Sequence, residues 1–190
     1  MSLSKKSQNN NIDKNSDVQN DITEKNITGA PDESMTDLIE STHDLVDAVV
    51  KIGGSTLGDH DTTINDLIYL QNQGKKIVVI HGGGKTVSEW MKKQGIRPKF
   101  LEGLRVTDIK SLEIVVAVLT GLVNKQLVSE INSKGGKAIG LSGVDGRMIS
   151  ASVVNPDLGY VGKVESINPQ PILGVLESGY IPVISRLFIS

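Results

Sequence analysis

The stretch Lys76-Ile77-Val78-Val79-Ile80-His81-Gly82-Gly83-Gly84 decides how the rest of the chain is read. Four consecutive β-branched residues, too few for a helix, predict a strand buried on both faces. Three Gly residues end it. Val87, Trp90 and Met91 then recur at helical spacing until Gly95 stops the run. A strand that feeds a helix through a tight turn is the building unit of a parallel sheet.

The same unit lies upstream. Ala48-Val49-Val50-Lys51-Ile52 reads as a strand ending in Gly53-Gly54, and Asp61 or Thr62 caps a helix carrying Ile64, Leu67, Ile68 and Leu70 that stops at Gly74. Downstream, a short strand precedes Glu102, and a long helix runs from about Lys110 to Ser133. Lys137 to Leu141 is a third buried strand, residues 147–165 form a hairpin turning near Asp157-Leu158-Gly159, and Pro169 opens a helix through Ser178. Tyr180 to Ile184 is a further strand of central character. The expected class is α/β: a three-layer sandwich around a mainly parallel sheet, in one domain over residues 48–185. Only residues 185–190 follow the last buried strand, so the sheet reads as truncated, with apolar surface and unpaired backbone groups expected along that strand.

Composition sets the outer limits. The 190 residues are 38% hydrophobic and 22% charged, close to an ordinary globular domain. At 3% aromatic, the core must come from Val, Ile, Leu and Ala. The absence of Cys excludes a disulfide scaffold, a Cys-ligated zinc site and thiol catalysis. A net charge of -2 argues against a nucleic-acid binder, and no uninterrupted apolar run approaches the length needed to span a bilayer. Residues 1–34 hold six Asn, four Lys and six acidic residues, with apolar residues isolated among them. That composition predicts a disordered polar tail with no secretory or transit signal. Residues 35–47 read as a short helix or linker, and 186–190 as an atypical end. A cytoplasmic location is expected. Asn26-Ile27-Thr28 fits a glycosylation pattern that means little without secretion.

Several chemical motifs fail on inspection. Gly84-Lys85-Thr86 lacks the preceding Gly of a P-loop, since Val79 occupies that position. Gly53-Gly54-Ser55-Thr56-Leu57 and Gly140-Leu141-Ser142-Gly143-Val144 both miss the last Gly of a nucleophile elbow. No His or acidic cluster has metal-ligand spacing, so no metal site is expected. What survives is a pair of Gly-rich strand-to-helix turns, Lys51-Ile52-Gly53-Gly54 and His81-Gly82-Gly83-Gly84. Such turns let backbone N–H groups approach an anion, where the helix N-terminus adds positive potential. Both fall at strand C-terminal ends, where open α/β sheets bind ligands. Lys51 adds a cation beside the first, and Arg105, in Glu102-Gly103-Leu104-Arg105-Val106-Thr107-Asp108, is suited to hold a carboxylate by two parallel bonds.

Taken together, these stretches resemble the amino-acid kinase family, and within it the acetylglutamate kinases, from about Val49 to Ser185. The likeness also rests on Val123-Asn124-Lys125, Gly140-Leu141-Ser142-Gly143-Val144-Asp145-Gly146, Gly159-Tyr160-Val161-Gly162 and Gly179-Tyr180-Ile181-Pro182-Val183-Ile184. The resemblance implies transfer of the ATP γ-phosphoryl group to the side-chain carboxylate of N-acetyl-L-glutamate, a step of arginine biosynthesis. It implies Lys51 as the catalytic cation, Gly53 and Gly54 as phosphate-binding, and Gly83, Gly84 and Arg105 as substrate-binding. It implies ATP with Mg2+ as co-substrate, a homo-oligomer, and no nucleic-acid or membrane partner. It also implies a nucleotide-binding half with a second Lys, an Asp, an Asn and the adenine pocket, none of which this sequence contains. The chain is therefore expected to be catalytically incomplete. Alternatives are a kinase acting on acetylaminoadipate and a non-catalytic remnant that binds acetylglutamate or assembles with a full-length kinase. Lys85, directly after the Gly run, and Arg186-Leu187-Phe188-Ile189-Ser190 depart from the family pattern.

Overall fold

A computed structural model describes residues 45–53, 62–153 and 155–187. The expected polar tail, nearly all of the short helix or linker, Asp61, Gly54 and residues 188–190 lie outside them. Four strands form one parallel sheet: β1 (Ala48–Ile52), β2 (Ile77–His81), β5 (Ala138–Ser142) and β8 (Ile181–Ser185). Their spatial order is β1-β2-β8-β5. The registers Ile52↔His81, His81↔Ser185 and Ser142↔Ser185 bring all four C-terminal ends to one edge.

Helices α1 (Thr63–Asn72), α2 (Gly84–Lys93) and the long α3 (Ile109–Ser133) lie against one face. Strand alternation turns Ile52, Ile77, Val79, Ala138, Ile181 and Val183 toward them. Ile64, Leu67, Val87, Met91, Val118, Val123, Leu127 and Ile131 complete that core. On the other face, Val78 and Ile184 pack with Met148 and with Leu176 of α4 (Gln170–Glu177). The three-layer α/β sandwich is thus the architecture found. Two small antiparallel hairpins stand outside the sheet: β3 (Lys99–Leu101) with β4 (Leu104–Val106), and β6 (Ile149–Val153) with β7 (Gly162–Ile167).

Three differences from the sequence reading carry physical content. The last strand is not an unpaired border. It lies between β2 and β5, paired on both sides, and all five of its residues are buried. The bordering strands are β1 and β5, because crossovers place the last strand in the middle. Second, Glu102 and Gly103, with φ of 50° and 80°, close a two-residue hairpin where only one short strand was expected. Both positions need positive φ, and Glu is an unusual residue for the first. Third, the long helix widens to π geometry over Ala117–Val123. By length and apolar composition α3 could cross a membrane. In this fold Val118, Val123, Leu127 and Ile131 lie in the core instead.

Candidate functional site at the strand ends

The two Gly turns are neighbours because β1 and β2 are neighbours. The Gly82 N–H donates to the Ile52 carbonyl at 3.1 Å, which ties the second turn to the end of β1 beside Gly53. Lys51 stands one residue before that end. Alternation points it to the sheet face opposite α3, where it is exposed. Among the described residues no hydrogen bond or ion pair engages its ammonium group.

The turn after β2 is closely packed. A Cβ built on Gly83 would stand 2.7 Å from Leu119 Cδ2 and 3.3 Å from Val123 Cγ2, both in the π segment of α3. A side chain there would force Leu119 to shift, and the widened helix meets the turn at this point. Beyond Gly83, α2 starts with its first N–H groups free of intrahelical partners.

Arg105 reaches this helix start from β4. Its Nη2 donates to the Gly84 carbonyl at 2.9 Å and to Ser88 Oγ at 2.8 Å, and its Nη1 lies 3.1 Å from Met91 Sδ. The guanidinium also covers the Phe100 ring, 4.8 Å from its centroid. Partial burial lowers its pKa from the ordinary value, and an arginine stays charged regardless. The hairpin that carries it is anchored at its base. Thr107 exchanges backbone bonds with Leu158 and Tyr160, and Asp108 caps α3 by accepting from the Ser111 N–H at 2.8 Å. That bond holds the Asp108 carboxyl below its usual range. The structure therefore gathers Gly83, Gly84 and Arg105 into one cluster, sets Gly53 beside it, and leaves Lys51 at the same sheet edge on the opposite face.

Beneath the cluster lies a buried polar layer that sequence reasoning did not single out. His81 is 1% exposed and Asn124 likewise 1%. His81 Nδ1 is 2.8 Å from the Gly82 carbonyl, and His81 Nε2 is 3.1 Å from Asn124 Nδ2. Asn124 Nδ2 also donates to the Val183 carbonyl at 2.8 Å, and its Oδ1 accepts from Lys125 Nζ at 3.2 Å. Burial pushes the His81 pKa down. Ser142 is closed by Asp145, whose Oδ2 accepts from both its N–H and its hydroxyl. The Ser185 hydroxyl, fully buried, has no partner among the described residues. Single buried polar side chains produce no periodic signal in a sequence. The available clue was that His81 and Asn124 lie in His81-Gly82-Gly83-Gly84 and Val123-Asn124-Lys125, two of the stretches that carry the family resemblance.

Among the described residues no three His, Asp or Glu side chains gather to hold a metal ion. A phosphate or carboxylate group suits the site better: free helix N–H groups and a guanidinium both favour negative charge.

Residues 48–190 match the model of the amino acid kinase family. A Synechocystis protein named acetylglutamate kinase is 46% identical over 143 residues, covering 73% of this chain and 48% of that protein. One of the same name from Methanothrix thermoacetophila is 48% identical over 152 residues, covering 74% and 53%. The chain spans about half the length of these curated relatives. Among solved structures, a Streptococcus mutans UA159 protein superposes with a TM-score of 0.66 at 30% identity, over 73% of this chain and 57% of that one. An N-acetylglutamate synthase from Neisseria gonorrhoeae, solved with coenzyme A and N-acetyl-glutamate, superposes with a TM-score of 0.59 at 21% identity, over 83% and 38%, a likeness of fold.

Proposed function

The chain belongs to the amino acid kinase family, and from that premise we propose that its strand-end site binds N-acetyl-L-glutamate and presents the side-chain carboxylate to the γ-phosphoryl group of ATP, as a step of arginine biosynthesis in the cytoplasm. The observation that carries the reading is the joining of Arg105 to the start of α2 at the Gly84 carbonyl. It sets a guanidinium beside helix N–H groups, so one dicarboxylic ligand meets a positive group at either end.

In this reading Arg105 takes the α-carboxylate through N–H groups beyond those it gives to Gly84 and Ser88. The turn at Gly83 and Gly84 takes the reacting carboxylate. Gly53, Gly54 and Lys51 are assigned to the phosphoryl group in flight, where charge spreads over the equatorial oxygens. Such a reaction needs positioning and fixed positive charge rather than a covalent nucleophile. ATP supplies the phosphoryl group. Among the described residues no three acidic or histidine side chains gather into a ligand set for Mg2+. A second copy of the chain is the proposed partner, to be read from sedimentation of the purified protein.

Calorimetry with N-acetyl-L-glutamate, N-acetyl-L-aminoadipate and unacetylated L-glutamate tests the acceptor. N-acetyl-L-glutamate should bind most tightly. Tighter binding of the aminoadipate derivative would transfer the proposal to the longer acceptor, and heat from none of them would remove the acceptor reading.

A further inference from the structure

The polar pair beneath the Gly turn carries more than packing. A backbone carbonyl can only accept, so the contact between His81 Nδ1 and the Gly82 carbonyl requires the proton on Nδ1. The neutral ring then leaves Nε2 bare, as an acceptor. Asn124 meets it with an N–H, and the same amide nitrogen is fixed as a donor by the Val183 carbonyl. Its oxygen in turn accepts from Lys125. Asn124 has two N–H groups for three acceptors, the longest contact being the Leu141 carbonyl at 3.4 Å, and the two shorter ones go to Val183 and His81.

The consequence lies in the peptide between Gly82 and Gly83. A trans peptide holds its C=O and the following N–H pointing in opposite directions. Gripping the Gly82 carbonyl on the side of His81 therefore turns the Gly83 N–H away from that ring. Among the described residues that N–H donates to no protein acceptor. A Gly82-Gly83 peptide has little steric preference of its own between the two orientations, so the choice falls to the hydrogen bonds.

We infer that His81, set in the Nδ1–H form by Asn124, is a positioning residue that locks the Gly82–Gly83 peptide with the Gly83 N–H facing the acceptor carboxylate. The ring touches no substrate and acts through the peptide alone. The inference rests on the acceptor-site reading for its ligand, and its geometry can be tested apart from it.

Two experiments on the full chain separate these. Long-range nitrogen–proton NMR of the unliganded protein at neutral pH reads the His81 tautomer. The Nδ1–H form is expected, and the Nε2–H form would overturn the inference whatever the protein binds. Calorimetry with N-acetyl-L-glutamate then compares His81→Asn, whose side-chain amide can still donate from near the Nδ1 position, with His81→Leu, which cannot. His81→Leu should weaken binding tenfold or more, and His81→Asn should recover most of that loss at a similar melting temperature. Equal affinities for parent and His81→Leu would overturn the inference. Should the parent bind no N-acetyl-L-glutamate, the acceptor reading falls, while the tautomer still decides the positioning. Should His81→Leu fail to fold, the tautomer of the parent decides alone.

Discussion

The two Gly turns look alike in sequence and differ in how the fold holds them. The turn after β2 ends an interior strand. It is gripped from the sheet side by His81, from the outer side by Arg105 at Gly84, and from above by Leu119 and Val123. The turn after β1 ends a border strand and is preceded by the exposed Lys51. A turn that must present N–H groups in fixed directions belongs on an interior strand, where neighbours on both sides set its end. A mobile cation can sit on a border strand, because an ammonium acts as a point charge on a flexible stem. In the proposed site, preorganised amides stand on an interior strand and an adjustable charge on a border strand.

The strongest way to break this contrast is at the floor of the interior turn. A Cβ on Gly140 would fall 1.9 Å from Asn124 Oδ1 and 2.7 Å from Lys125 Nζ. Gly140→Ala must displace Asn124 from His81, adding overpacking to lost buried hydrogen bonds, at a combined cost of about 2–4 kcal/mol. Chemical denaturation should show it as a lower midpoint. An unchanged midpoint would mean that the buried pair contributes little to stability.

Next in size is the outer grip. Arg105→Lys replaces a planar fork by a point charge and should weaken N-acetyl-L-glutamate binding by about 1–3 kcal/mol. Thermal unfolding should shift far less than affinity. A variant with parent-like affinity would remove Arg105 from the site.

The parallel sheet, its helices and the site's glycines were legible in the sequence, because β-branched runs, helical spacing and Gly stops are local signals. Val183 and Ile184 announced a central strand by composition. Their true place, between β2 and β5, depends on crossovers that no local pattern encodes. Arg105 stood out as a cation beside a Gly. Its bond to Gly84, 21 residues away in sequence, did not. His81 and Asn124 were hidden for the same reason: each is a lone polar residue whose partner is far along the chain, 43 positions apart. The π segment, which meets Gly83 across the fold, left no local pattern in the sequence.

A smaller effect sharpens the contrast through pH. Burial lowers the His81 pKa below the ordinary histidine value of about 6.5. The unfolded imidazole binds a proton near that pH while the folded one resists. The unfolded state therefore holds more protons, and stability falls as pH drops below about 6.5, levelling once the folded ring also protonates. Asp47 and Asp108, both with lowered pKa values, contribute stability that is present above about 3.8 and lost only as pH falls through their folded values, so the two windows are separate. Denaturation midpoints between pH 7 and 5 should decline for the parent and stay flat for His81→Asn. A flat parent profile would contradict a buried neutral ring. The smallest effect belongs to the border turn: Lys51→Ala should leave stability within about 0.5 kcal/mol, as for other exposed positions. A larger loss by calorimetric unfolding would show that Lys51 is structural.

Amide chemical-shift mapping with N-acetyl-L-glutamate tests the central claim most directly, since it reads the location of the ligand on the fold. The account predicts the largest shifts at the Gly83, Gly84 and Lys85 amides and at the Arg105 side chain, and their loss in Arg105→Ala. Saturable shifts elsewhere on the fold, with these four residues unmoved, would contradict it.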